Sequence, residues 1–176
     1  SMSDTRIPLG ALSPEGLELH LDDQALWTGP LAEFGMDCRI TSPISADISI
    51  QPLENGYLVR GKISGDVTVP CNRCAGPMPV HREEKFEDFE DAPAEEAEPD
   101  GESRIIEEKG ALYLDVAAIV WEQFVLALPP NPLCRPDCKG LCPECGANLN
   151  EGMCACSRDE GDPRMAVLRG LKIRKQ

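Results

Sequence analysis

Apolar and polar positions alternate through much of the first ninety residues. Leu17, Leu19 and Leu21 alternate with Glu18 and His20, the pattern of a strand with one buried face. Ile44, Ala46, Ile48 and Ile50 repeat it against Ser45, Asp47, Ser49 and Gln51. Asn55-Gly56 separates that run from Tyr57-Leu58-Val59-Arg60-Gly61-Lys62-Ile63. Asn-Gly between two β-prone runs predicts a hairpin, because both residues tolerate positive φ. The returning strand extends through Asp66 to Val69 and stops at Pro70, and Val80 to Phe89 suits a further strand. Trp27, Leu31 and Phe34 lie in a Gly- and Pro-containing segment that suits a short helix or a loop.

The period changes after Gly110. Leu112 and Leu114 suit a short strand, and Val116, Ile119, Val120, Phe124, Ala127 and Leu128 then recur at helical spacing. This predicts a helix over residues 115–128 with Asp115 as its N-cap, ended by Pro129-Pro130. Asp162-Pro163 reads as the start of a second helix, with Met165, Leu168 and Leu171 on one face. Strands first and helices later point to an α+β fold. The expected architecture is an antiparallel β-sheet, barrel-like in one version, packed with one central helix. A C-terminal zinc-stapled segment and helix complete it. Residues 1–133 form the sheet-rich body and residues 134–176 the Cys-rich part, packed together as one domain.

Charge divides the chain. The net charge is -14, and residues 83–108 hold 13 acidic residues against Lys85 and Arg104. Within them, residues from Asp91 onward have Pro93, Pro99 and Gly101 and little to bury, which predicts an acidic loop over about 91–108. Such a loop either solvates the protein or attracts a basic partner such as a ribosomal protein. Residues 163–176 carry Arg164, Arg169, Lys172, Arg174 and Lys175 and no acid. An acidic body repels phosphates and argues against broad docking on RNA. Any RNA contact falls to the basic end, through Arg169, Lys172, Arg174 and Lys175.

Nine cysteines set the candidate chemistry. No basic stretch leads into an apolar one at the N-terminus, and Asp115, Glu122 and Gln123 interrupt the most apolar run, so the expected location is cytoplasmic and not membrane-spanning. Clustered thiols in that compartment favour metal over disulfides. Cys142-Pro143-Glu144-Cys145-Gly146 followed by Cys154-Ala155-Cys156 supplies four thiolates at zinc-knuckle spacing. Cys71-x-x-Cys74 and Cys134-x-x-x-Cys138 are two half-sites that together make four ligands for a second zinc. A different partition joins Cys134, Cys138, Cys142 and Cys145, and His81 could replace one thiolate. Cys38 stands apart and reads as a small buried hydrophobe.

All-thiolate zinc is mostly structural. Cys71-Asn72-Arg73-Cys74 could serve a thiol oxidoreductase, yet Ala75-Gly76-Pro77 give it no helix N-terminus to activate the first sulfur. The chain contains no Gly-x-Ser-x-Gly, phosphate-cradling loop or His-Glu-x-x-His. The expectation is a protein that is not an enzyme.

Cys71-Asn72-Arg73-Cys74, Leu126-Ala127-Leu128-Pro129, the run from Cys138 to Asn150 and Asp162-Pro163-Arg164 together resemble the YceD-like family. These are bacterial and plastid proteins linked to accumulation of large-subunit ribosomal RNA. The resemblance implies a non-enzymatic role in 23S rRNA accumulation and large ribosomal subunit biogenesis. It also implies that the two half-sites belong together. Its partners would be a ribosomal protein or a large-subunit precursor. A zinc-ribbon-type module in transcription or translation control is the alternative.

Overall fold

A computed structural model of the chain describes residues 5–93 and 103–156. The strands are β1 (Arg6–Pro8), β2 (Leu17–Leu21), β3 (Arg39–Leu53), β4 (Gly56–Pro70), β5 (Pro77–Asp91), β6 (Ile105–Glu108) and β7 (Ala111–Asp115). The helices are α1 (Ala25–Glu33) and α2 (Val116–Ala127). Two antiparallel sheets result, one in the order β2-β3-β4-β5 and a smaller one in the order β1-β7-β6. Among the described residues no helix is long and apolar enough to cross a membrane.

Period-two patterning decides which sheet face is buried. Ile44, Ala46, Ile48 and Ile50 of β3 and Val59, Ile63, Val67 and Val69 of β4 point into one core. Val116, Ile119, Val120 and Phe124 of α2 fill the same core, so the helix lies across the inner face of the large sheet. Asp115 caps α2 by accepting from the Ala118 N–H at 3.1 Å, and the helix gives way to extended backbone at Leu128, ahead of Pro129. The opposite face of the large sheet is polar. It carries cross-strand ion pairs, Arg60 with Glu87 at 2.6 Å and Lys62 with Glu83 at 2.7 Å.

Several expectations need correction. The large sheet is not a closed barrel: β2 and β5 are free edges of its strand order. Of the two readings open for the segment around Trp27, the helix is the one found: α1 lies there beside the expected α2, with Trp27 and Leu31 buried on it and drawn onto the core. The middle of the acidic loop expected over residues 91–108, residues 94–102, lies outside the described residues, and its first residue, Asp91, is the last of β5. Its far end, Ile105–Glu108, is strand β6, whose Ile105 and Ile106 pair with Leu114 and Tyr113. The hairpin between β3 and β4 turns at Glu54-Asn55, and neither residue has positive φ. Gly56 is needed for another reason: a Cβ there would lie 2.2 Å from the Glu90 carbonyl oxygen on β5. Positive φ at both turn residues occurs instead at Lys109-Gly110, between β6 and β7. The helix predicted from Asp162 and the residues Arg169, Lys172, Arg174 and Lys175 lie outside the described residues.

Candidate metal centres

The large sheet ends where β4 runs into Cys71. The backbone there makes a tight knuckle: the Cys71 N–H donates to the Gly76 carbonyl at 2.8 Å and the Ala75 N–H to the Cys71 carbonyl at 2.9 Å. The same pattern recurs 71 residues on. The Cys142 N–H donates to the Ala147 carbonyl and the Gly146 N–H to the Cys142 carbonyl, both at 2.8 Å. Ala75 and Gly146 sit at the same step of the two turns, with φ of 56° and 74°. Each knuckle aims the two sulfurs of a Cys-x-x-Cys at one point.

The other half of each site arrives differently. Beyond α2, the Asn72 N–H donates to the Pro132 carbonyl at 2.8 Å, which brings Cys134 and Cys138 over the first knuckle. The Sγ–Sγ separations across the halves are 3.8 Å for Cys71 with Cys138 and 3.7 Å for Cys74 with Cys134. In the second group, Cys154 and Cys156 come back to Cys142 and Cys145 along the same short segment. Within each tetrad all four sulfurs lie within 4.8 Å of one another. His81 joins neither group: its Nδ1 lies 2.6 Å from Asp66 on the exposed sheet face. Cys38 is half-buried against the main core, where burial raises its thiol above the ordinary value.

These distances fit a tetrahedral metal. Four sulfurs at about 2.3 Å from a zinc ion stand about 3.8 Å apart along each edge, close to the two observed cross-half separations. All nine cysteines are free thiols. Backbone N–H groups of Cys74, Cys134 and Arg73 draw the Cys71 thiol down to about 6. The N–H groups of Cys145 and Glu144 draw Cys142 down to about 7. The Asn150 side-chain amide lowers Cys138. Burial and the neighbouring sulfurs push Cys134 up to about 12, and the Cys145 sulfur together with burial does the same to Cys156. Four thiolates this close repel one another, so each tetrad retains protons that a divalent cation would displace.

Sequence reasoning did not single out the residues that join the two groups. Arg73, inside the first knuckle, donates from Nη1 to the Cys138 carbonyl at 3.0 Å, and its own carbonyl accepts from the Leu141 N–H at 3.2 Å. Gly140 has a φ of +76°, and a Cβ there would stand 3.0 Å from the Arg73 carbonyl oxygen. The available signal was the repeated Cys-x-x-Cys followed by a small pair, Ala75-Gly76 and Gly146-Ala147.

Residues 59–172 match the family described as Large ribosomal RNA subunit accumulation protein YceD, a stretch that includes all eight clustered cysteines. The chain belongs to the YceD family. An uncharacterized Mycobacterium tuberculosis protein is 31% identical over 129 residues, 71% of this chain and 60% of the relative. A maize protein named Large ribosomal RNA subunit accumulation protein YCED homolog 1, chloroplastic, is 26% identical over 179 residues, 86% of this chain and 60% of the relative. This YceD-family chain thus spans about 60% of the length of both. No solved structure matches it.

Proposed function

We propose that this protein is a non-catalytic factor in large ribosomal subunit biogenesis, supporting 23S rRNA accumulation, with one zinc ion in each cysteine tetrad. The family match over residues 59–172 carries the reading, and the name of the maize relative agrees with it. Cys71, Cys74, Cys134 and Cys138 would hold one zinc, and Cys142, Cys145, Cys154 and Cys156 the other. Zinc held by four thiolates supplies fold stability and has no open position for substrate.

The acidic body contacts a basic ribosomal protein, and the basic residues near the C-terminus make a secondary RNA contact. Support for the first comes from β5, an edge strand on which Glu83, Glu84 and Glu87 are exposed. Support for the second is the charge of residues 163–176, with five basic residues and no acid.

In a strain lacking the protein, mature 23S rRNA should fall and large-subunit precursors accumulate, with wild-type protein restoring both. Replacing Arg169, Lys172, Arg174 and Lys175 by Gln should weaken RNA binding and flatten its salt dependence, since fewer counterions are released. Normal 23S rRNA in the deletion strain would overturn the assembly reading.

A further inference from the structure

Only three residues separate Cys138 of the first tetrad from Cys142 of the second, and all three are held by the partner halves. The Lys139 N–H donates to Asn150 Oδ1 at 2.8 Å. The Leu149 N–H donates to the Gly140 carbonyl at 2.9 Å, and Leu141 forms a bridge with Asn148. Asn150 then reaches back, its Nδ2 donating to Cys138 Sγ at 3.3 Å. The orientation of this amide is fixed by its neighbours. Because Oδ1 accepts from the Lys139 N–H, Nδ2 must face the sulfur, and it also donates to Asn148 Oδ1 at 2.9 Å.

Asn150 belongs to the loop between Cys145 and Cys154, which the second tetrad closes. We infer that the two centres are coupled binding sites, with Asn150 as the positioning residue. Metal in the second tetrad fixes the loop that carries Asn150, and its amide in turn supports Cys138 as a ligand of the first. This rests on the reading that each tetrad binds zinc. Closing a short loop removes most of the entropy that would otherwise keep Asn150 away from the sulfur. Hydrogen bonds to a metal ligand from outside the ligand set typically change affinity by about 10- to 100-fold. The coupling is reciprocal, so metal in the first tetrad tightens the second by the same factor.

A thermodynamic cycle on the full chain tests this under reducing conditions, with a chromophoric chelator competing for zinc. Cys154→Ser/Cys156→Ser gives the affinity of the first tetrad alone, and Cys71→Ser/Cys74→Ser that of the second alone. The wild type should bind two zinc ions with an overall constant about tenfold above the product of those two. Asn150→Ala and Asn150→Asp keep all eight thiols and read the coupling even if a cysteine variant fails to fold. The aspartate still accepts from the Lys139 N–H but cannot donate to the sulfur. Both variants should lower the overall constant about tenfold. A wild-type constant equal to the product, or wild-type behaviour of Asn150→Asp, would overturn the coupling while leaving two zinc sites standing. Fewer than two zinc ions per wild-type chain would overturn the two-zinc reading and the coupling with it.

Discussion

Ala75 and Gly146 occupy the same step of two knuckles, and only one of them is suited to it. A left-handed residue with a Cβ is strained, whereas glycine adopts that conformation freely. Ala75 holds φ at 56° because the Cys71 carbonyl accepts its N–H and the first tetrad fixes both ends of the turn. Ala75→Gly should therefore raise the stability of the zinc-loaded protein, by up to about 1 kcal/mol less the entropy glycine adds to the unfolded chain. Gly146→Ala should lower it by about 1 kcal/mol. Urea denaturation of both variants with zinc present measures the pair. Equal and unchanged midpoints would mean that the two turns carry no such strain.

Among the elements, β5 ends in a constraint that also sets a pH dependence. Glu90 is buried near its end and accepts from the Arg104 N–H at 3.1 Å, which ties β5 to the entry of β6. Burial raises its carboxyl above the ordinary value of 4.5, against the pull of that N–H. The folded state therefore favours the neutral acid. That contribution is fully present below pH 4.5 and is lost as pH rises through the higher folded value. Glu90→Gln, neutral at every pH and still an acceptor, should raise Tm at pH 7 by roughly 1 to 2 °C. The gain should disappear near pH 4, and a gain independent of pH would count against burial as its cause. The alternation at residues 44–50 and the helical spacing from Val116 to Phe124 made β3 and α2 legible, because each encodes a single buried face. Asn55-Gly56 located a hairpin but not its turn, since what Gly56 answers is the approach of β5, invisible to local pattern. Strand β6 was hidden because Ile105-Ile106 is too short a run to stand out beside its acidic neighbours. Cysteine spacing exposed the eight thiols, but only the knuckle at Cys142 and Cys145 has all its partners nearby in sequence. Asn150 gave no signal, because a hydrogen bond to a sulfur twelve residues away leaves no periodic trace.

At the scale of the whole molecule, the cysteine centres lie apart from the main core. Cys71, Cys74 and Cys138 form their own small buried cluster with Leu133, while β3, β4 and α2 share the large one. Stripping zinc with a strong chelator under reducing conditions should therefore release residues 134–156 to protease while the sheet and α2 keep their far-UV circular dichroism. Unfolding of the whole chain in one step on zinc removal would show instead that the core depends on the metal. The sulfurs of the first tetrad are 60 and 67 residues apart in sequence across its two halves. During synthesis at about 5–20 residues per second, Cys74 must wait roughly 3 to 12 s for Cys134. Until then the knuckle at the end of β4 presents two thiols with no completing pair, open to oxidation or to a borrowed ligand. Closure of that tetrad is thus a molecular record that translation has passed Cys138, and a chain stalled earlier would carry an unfinished metal site as its mark.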